Sequence, residues 1–92
     1  MELKDTVEMM KSSDYKERFR AEYFQLKIRM DGLAGMLIKM ENNMLDFIPH
    51  CSYDLLNGQL KAMNLYASYL EERAEIEDID FEKKLEESLK DL

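Results

Sequence analysis

His50 and Cys51 are the side chains of this 92-residue sequence best suited to covalent chemistry, and they are adjacent. Neighbours on an extended backbone point to opposite sides, whereas a Cys/His pair needs a spatial partner and an orienting group. No second histidine is there to recruit. Zinc fails for a similar reason, because two soft ligands do not complete a four-ligand site. Glu71 and Glu75 are spaced as neighbours on a helix face, which also describes ordinary solvated charge. Nothing matches a glycine-rich phosphate loop. The expectation is a protein that is not an enzyme and that uses no cofactor and no metal.

Binding chemistry is better represented. The chain carries a net charge of -7, yet residues 15–30 hold Lys16, Arg18, Arg20, Lys27 and Arg29 against only Glu17 and Glu22. A phosphate-bearing ligand needs such a local positive site. Arg20 and Lys27 flank Phe24 at helical spacing, so a stacking ring lies between two cations. The segment Asp46 to Tyr53 gathers Phe47, Pro49, His50, Cys51 and Tyr53 beside Ser52, a good helix N-cap. Exposed N–H groups there can receive an anion, and Phe47 or Tyr53 can stack on a base. Alternatively, Phe47 and Ile48 simply close the end of the core. The ligand-binding set is therefore Arg20, Phe24, Lys27, Phe47, His50, Ser52 and Tyr53, with a neighbouring subunit's loop closing over the basic edge. Residues 71–92 are the opposite case, with ten acids against four bases. They either imitate nucleic-acid phosphate in a basic protein groove or form a solvated face.

The elements that must position these groups are helices. Phe19, Tyr23, Leu26, Met30, Leu33, Leu37, Met40 and Met44 recur at alternating intervals of four and three, an unbroken heptad seam. Asp14 with Glu17 fits a capping box, so one helix is expected from about Tyr15 to Met44. Gly32 and Gly35 cost it about 1 kcal/mol each relative to alanine. They allow close approach by another helix, or leave room for a ligand or a bend. Pro49 prevents continuation and fixes Ile48 as extended. The next helix runs from Tyr53 to about Glu77 on the seam Leu56, Leu60, Met63, Ala67, Leu70 and Ala74. Ala62, Tyr66, Tyr69 and Ile76 form a second apolar row, more than one hairpin partner needs. Leu3, Val7 and Met10 would line a short N-terminal helix, and Asp78-Ile79-Asp80 a break before an acidic helix over 80–91.

The expected fold is all-α: one domain over 1–92, a long antiparallel hairpin over 15–77 with short flanking helices, self-associating through Ala62, Tyr66, Tyr69 and Ile76. Folding about residue 48 places Arg20 near Ile76, with Glu71, Glu72, Glu75 and Glu77 as ion-pair partners for the basic stretch. Eight methionines are many; Met30, Met40, Met44 and Met63 sit in the seams, while Met9, Met10 and Met36 lie off them. No apolar run approaches a membrane span, no secretory signal opens the sequence, and a lone cysteine fits a reducing compartment. The acidic balance opposes nonspecific DNA or membrane binding.

Three strings carry a resemblance: Asp14-Tyr15-Lys16-Glu17-Arg18-Phe19, Leu45-Asp46-Phe47-Ile48-Pro49 and Leu70-Glu71-Glu72-Arg73-Ala74-Glu75-Ile76-Glu77. Together they resemble a group of small, largely uncharacterised phage and prophage proteins related to a crAss-like phage open reading frame, over about residues 1–80. That group tends to place threonine or serine before the cysteine and proline after it; here His50 and Ser52 stand there. The helix–loop–helix plan is also similar, in architecture only, to phage sponges that capture cyclic-nucleotide or cyclic ADP-ribose signals of CBASS and Thoeris immunity. The resemblance implies an anti-defence protein of the bacterial host cytoplasm that sequesters such a signal without catalysis. Competing expectations are an anti-CRISPR-like inhibitor that binds a host protein, or a structural coiled-coil interaction protein. The surplus apolar row gives the first measurement. Light scattering at micromolar concentration should report at least a dimer, because a large bare apolar patch is uncommon on a monomer, and a clean 11 kDa species would refute it.

Overall fold

A computed structural model describes residues 1–81. A 3-10 turn at Leu3–Thr6 leads directly into α1, Val7–Met10; α2 spans Tyr15–Glu41 and α3 Tyr53–Ile76. The described residues are helical with no strand. The expected C-terminal helix over 80–91 lies mostly outside them.

Each long helix begins where a short polar side chain replaces a missing backbone partner. The Asp14 carboxylate accepts from Lys16 N at 3.0 Å, and the Ser52 hydroxyl from Leu55 N at 3.1 Å. Asp14 was expected to cap, but the reciprocal capping box forms elsewhere, between Glu2 and Asp5. Both helices end in the same way. Asn43 (φ 55) and Asp78 (φ 57) adopt the left-handed conformation that short polar side chains tolerate. Met44 N then reaches back to Lys39 O and Ile79 N to Ala74 O, each at 2.8 Å, the Schellman arrangement. For this reason α2 stops at Glu41, short of the expected Met44 and well before Pro49. Met44, the last residue of the heptad seam, is left 70 % exposed.

α2 and α3 pack antiparallel along the expected seams. Phe19, Met30 and Leu37 of α2 are buried, as are Ala67, Leu70 and Ala74 of α3. The densest packing is at the open end of the hairpin, where Phe19, Leu70, Ala74 and Ile79 cluster, with Tyr23, Leu26 and Phe81 against them. Ile79 belongs to the core because the turn at Asp78 folds it back onto Ala74. At the N-terminus the expected apolar face is the wrong one. Leu3, Val7 and Met10 are exposed, while Thr6 and Met9 are buried where α1 packs on α2. Thr6 tolerates burial because its hydroxyl donates to Leu3 O at 2.7 Å and accepts from Gln25 Nε2 at 2.8 Å.

Ion pairs do not cross the hairpin as expected. Those among the described residues are local: Lys4–Glu2, Lys11–Glu8, Arg20–Glu17 and Arg73–Glu77. The bonds between α2 and α3 instead come from tyrosines. Tyr15 donates to Glu77 at 2.9 Å and Tyr23 to Glu71 at 2.7 Å; Tyr66 donates to Glu22 and Tyr53 to Glu41. Long charged side chains lose more rotamer freedom on pairing than a rigid phenol does. Four Tyr–Glu rungs therefore hold the register from one end to the other.

Burial, with the bond to Glu71, pushes the Tyr23 hydroxyl from 10.0 up to about 12. The protonated phenol is the form that the fold favours. Its contribution is complete below pH 10, the unfolded value, and is lost as pH rises through about 12. The Tm should fall across that window. Tyr23→Phe should cost about 1 kcal/mol at neutral pH and flatten the alkaline fall; a variant with the wild-type alkaline profile would exclude Tyr23 as its source.

Candidate functional site

The expected ligand-binding residues lie at opposite ends of the hairpin. Arg20, Phe24 and Lys27 sit on the first half of α2, toward the open end; Phe47, His50, Ser52 and Tyr53 belong to the loop end. From Arg20 to Glu41 the helix climbs about 32 Å at 1.5 Å per residue. One chain therefore does not bring the two groups together.

At the open end, Arg20 is only 6 % exposed. Its Nε donates to Asp80 O at 2.8 Å, and its guanidinium lies 3.4 Å from a Glu17 carboxylate oxygen. The cation expected to hold a phosphate thus fastens the 78–80 turn to α2. Lys16 assists by donating to Asp78 O at 2.9 Å. Phe24 is half-buried with its ring 6.1 Å from that of Phe81, and Phe81 stacks on Tyr23 at 4.0 Å. Lys27 is also half-buried, but its ammonium makes no hydrogen bond or ion pair among the described residues.

At the loop end, Ser52 spends its hydroxyl on the N-cap and Tyr53 donates to Glu41. That bond, with lesser help from desolvation and from the charges of Glu41 and Asp54, raises the Tyr53 hydroxyl above its usual range. His50 and Cys51 are exposed, and no group of three or more potential metal ligands occurs among the described residues. Phe47 and Ile48 do not seal the core. They are 53 % and 92 % exposed, because the Asn43 turn carries the chain off the end of α2 rather than over it.

The concavity at this end has a different wall from the one expected. A cleft of about 460 Å3 is lined by Asp31, Gly32, Gly35, Met36, Lys39 and the loop residues Met44 to Phe47. A smaller hollow of about 270 Å3 lies on the other side of Leu45 and Phe47, against Met40, Asn43, Ile48 and Pro49. Of the expected site residues only Phe47 lines either. Among the described residues no other helix packs onto Gly32 or Gly35, where a Cβ would meet nothing within 4 Å. Two glycines three residues apart, opposite the heptad seam, were the signal that the sequence offered.

The expected interface residues Ala62, Tyr66, Tyr69 and Ile76 all lie exposed on α3, Ile76 at 84 %. Leu55 and Leu65 extend this apolar row. No described helix is long and apolar enough to cross a membrane.

The Sequestin family model matches residues 13–76, which is the capped hairpin from the residue before Asp14 to the last residue of α3. The chain belongs to the Sequestin family. The Sequestin match thus covers both long helices and the loop, and it leaves out α1 and everything after Ile76. The name of the family fits a protein that sequesters a ligand or partner. No curated protein and no solved structure shows significant similarity to the chain.

Arg20 and Lys27 should separate in stability. Arg20→Gln should cost about 1.5–3 kcal/mol, since it removes a buried charge-assisted bond to Asp80 O. Lys27→Gln should stay within about 0.5 kcal/mol. Denaturant melts of the two single variants measure this, and equal stabilities would contradict the internal role of Arg20.

Proposed function

We propose that this Sequestin captures a nucleotide immune signal, of cyclic-nucleotide or cyclic ADP-ribose type, and holds it without catalysis. The observation that carries the proposal is the family match over the whole hairpin. Sequestration needs only affinity and abundance. A small, rigid, tyrosine-braced hairpin supplies a surface at little ordering cost.

In this proposal the ligand lies between copies. The apolar row Ala62, Tyr66, Tyr69 and Ile76 makes the contact, and Lys27 supplies charge for a phosphate. Phe24 and the loop residues Phe47, His50 and Tyr53 supply stacking and polar contacts. Ser52 orders the α3 N-terminus, whose N–H groups face an anion. Arg20 positions the basic edge by holding the Asp80 turn. The protein acts in the cytoplasm of a bacterial host, as a phage product directed against CBASS or Thoeris signalling. The competing role as an acidic inhibitor of a protein groove has less support from the described acids. Glu71 and Glu77 are bonded by Tyr23 and Tyr15, so their charge already serves the hairpin.

The test is chemical. The protein is purified from bacteria with an activated CBASS or Thoeris system, denatured, and the released small molecules are weighed by mass spectrometry. A nucleotide released in near-stoichiometric amount is expected. Protein that carries no nucleotide from either background refutes the proposal.

A further inference from the structure

The glycine cleft on α2 has a shape and a set of charges that the hairpin itself does not use. In helical projection, Gly32, Gly35, Met36 and Lys39 share the face opposite the α3 seam. The same face, one to three turns earlier, holds the buried Ala21 and Gln25, which donates to Thr6 of the N-terminal segment. The N-terminal segment thus covers the upper part of the face and leaves the lower part open. There the loop from Met44 to Phe47 folds alongside and makes the second wall. A volume of about 460 Å3 lies within the range of small-molecule sites.

The lining is chemically mixed in a useful way. Met36, Met44, Leu45 and Phe47 give an apolar and aromatic surface, and the two glycines let a flat ring approach the helix backbone. Asp31, Asp46 and Lys39 stand around it, and no side-chain hydrogen bond or ion pair occupies any of the three among the described residues. Carboxylates accept from ribose hydroxyls and exocyclic amino groups; a single lysine accommodates at most one phosphate. Two acids against one base also exclude a bare polyanion from the cleft.

We propose that this cleft receives the nucleoside portion of the captured ligand, with its base against Phe47 and the Gly32–Gly35 backbone, its ribose or amino group on Asp31 and Asp46, and its phosphate directed toward Lys39. The inference rests on the proposed sequestration of a nucleotide and assigns it a place that excludes the Arg20 edge.

The glycines make a decisive test because filling them should strengthen the fold. Gly35→Leu replaces a poor helix former by a good one in open space, so its Tm should rise. Cyclic ADP-ribose and cyclic GMP–AMP are titrated calorimetrically into the wild type, Gly35→Leu, Phe47→Ala and the control Gly58→Ala. Gly58 is a helical glycine on α3 with the same open surroundings, away from the cleft. Whichever nucleotide binds the wild type should bind Gly35→Leu and Phe47→Ala at least tenfold more weakly and Gly58→Ala normally. Unchanged affinity in Gly35→Leu and Phe47→Ala overturns the cleft assignment and leaves sequestration standing. A wild type that binds neither nucleotide overturns the cleft as a nucleoside site, and the released-ligand experiment then decides sequestration separately. Loss of binding in Gly35→Leu with a fall in light-scattering mass, while Phe47→Ala binds normally, makes the glycine face a contact between copies and also overturns it.

Discussion

Phe19 packs into Leu70, Ala74 and Ile79 at the open end of the hairpin, and the register of the whole molecule depends on that contact. The Arg73 guanidinium lies 4.9 Å over the ring and extends to Tyr15 and Glu77, so one aromatic side chain is enclosed by both helices. Ile79 reaches it only because Asp78 takes a left-handed turn, and Arg20 and Lys16 hold that turn by its carbonyls. Once this end is set, the Tyr–Glu rungs can form in sequence along α2 and α3. A slip of one residue on either helix would break every rung and rotate Phe19 out of the cluster.

Much of this hairpin could be read from the order of residues. The heptad seams, the caps at Asp14 and Ser52 and the break at 78–80 are local patterns whose physics does not depend on distant contacts. What escaped was tertiary. Charge spacing pointed to ion pairs between the helices, but Glu71 and Glu77 accept from tyrosine hydroxyls instead, and periodicity does not distinguish a phenol that reaches across from one that packs. Arg20 looked like a surface cation because it flanks the heptad seam rather than lying in it; its burial comes from a turn sixty residues away. Asn42-Asn43 ended α2 sooner than Pro49 would have, since a left-handed asparagine stops a helix as firmly as a proline several residues later.

The candidate site was legible in one residue more than in its surroundings. Phe47 stands in the cleft wall as an aromatic loop residue, whereas the remaining lining comes from α2 rather than from the basic stretch. Gly32 and Gly35 were visible as an oddity in a long helix, at a propensity cost of about 1 kcal/mol each. The hairpin recovers none of that cost through closer packing, because among the described residues nothing comes within 4 Å of where a Cβ would stand.

The uneven distribution of buried contacts has a dynamic consequence. The aromatic cluster anchors one end, whereas toward the loop the seams are mostly half-buried and the connecting residues stand in water. Backbone amides should therefore exchange with solvent in a gradient, slowest around Leu70 and Ala74 and fastest beyond Met40, as the helix ends fray and re-form. The loop end, although the chain closes it and Tyr53 bonds Glu41 there, is the looser end of the pair. A ligand seated beside the loop would order these residues, and that ordering would subtract from its affinity.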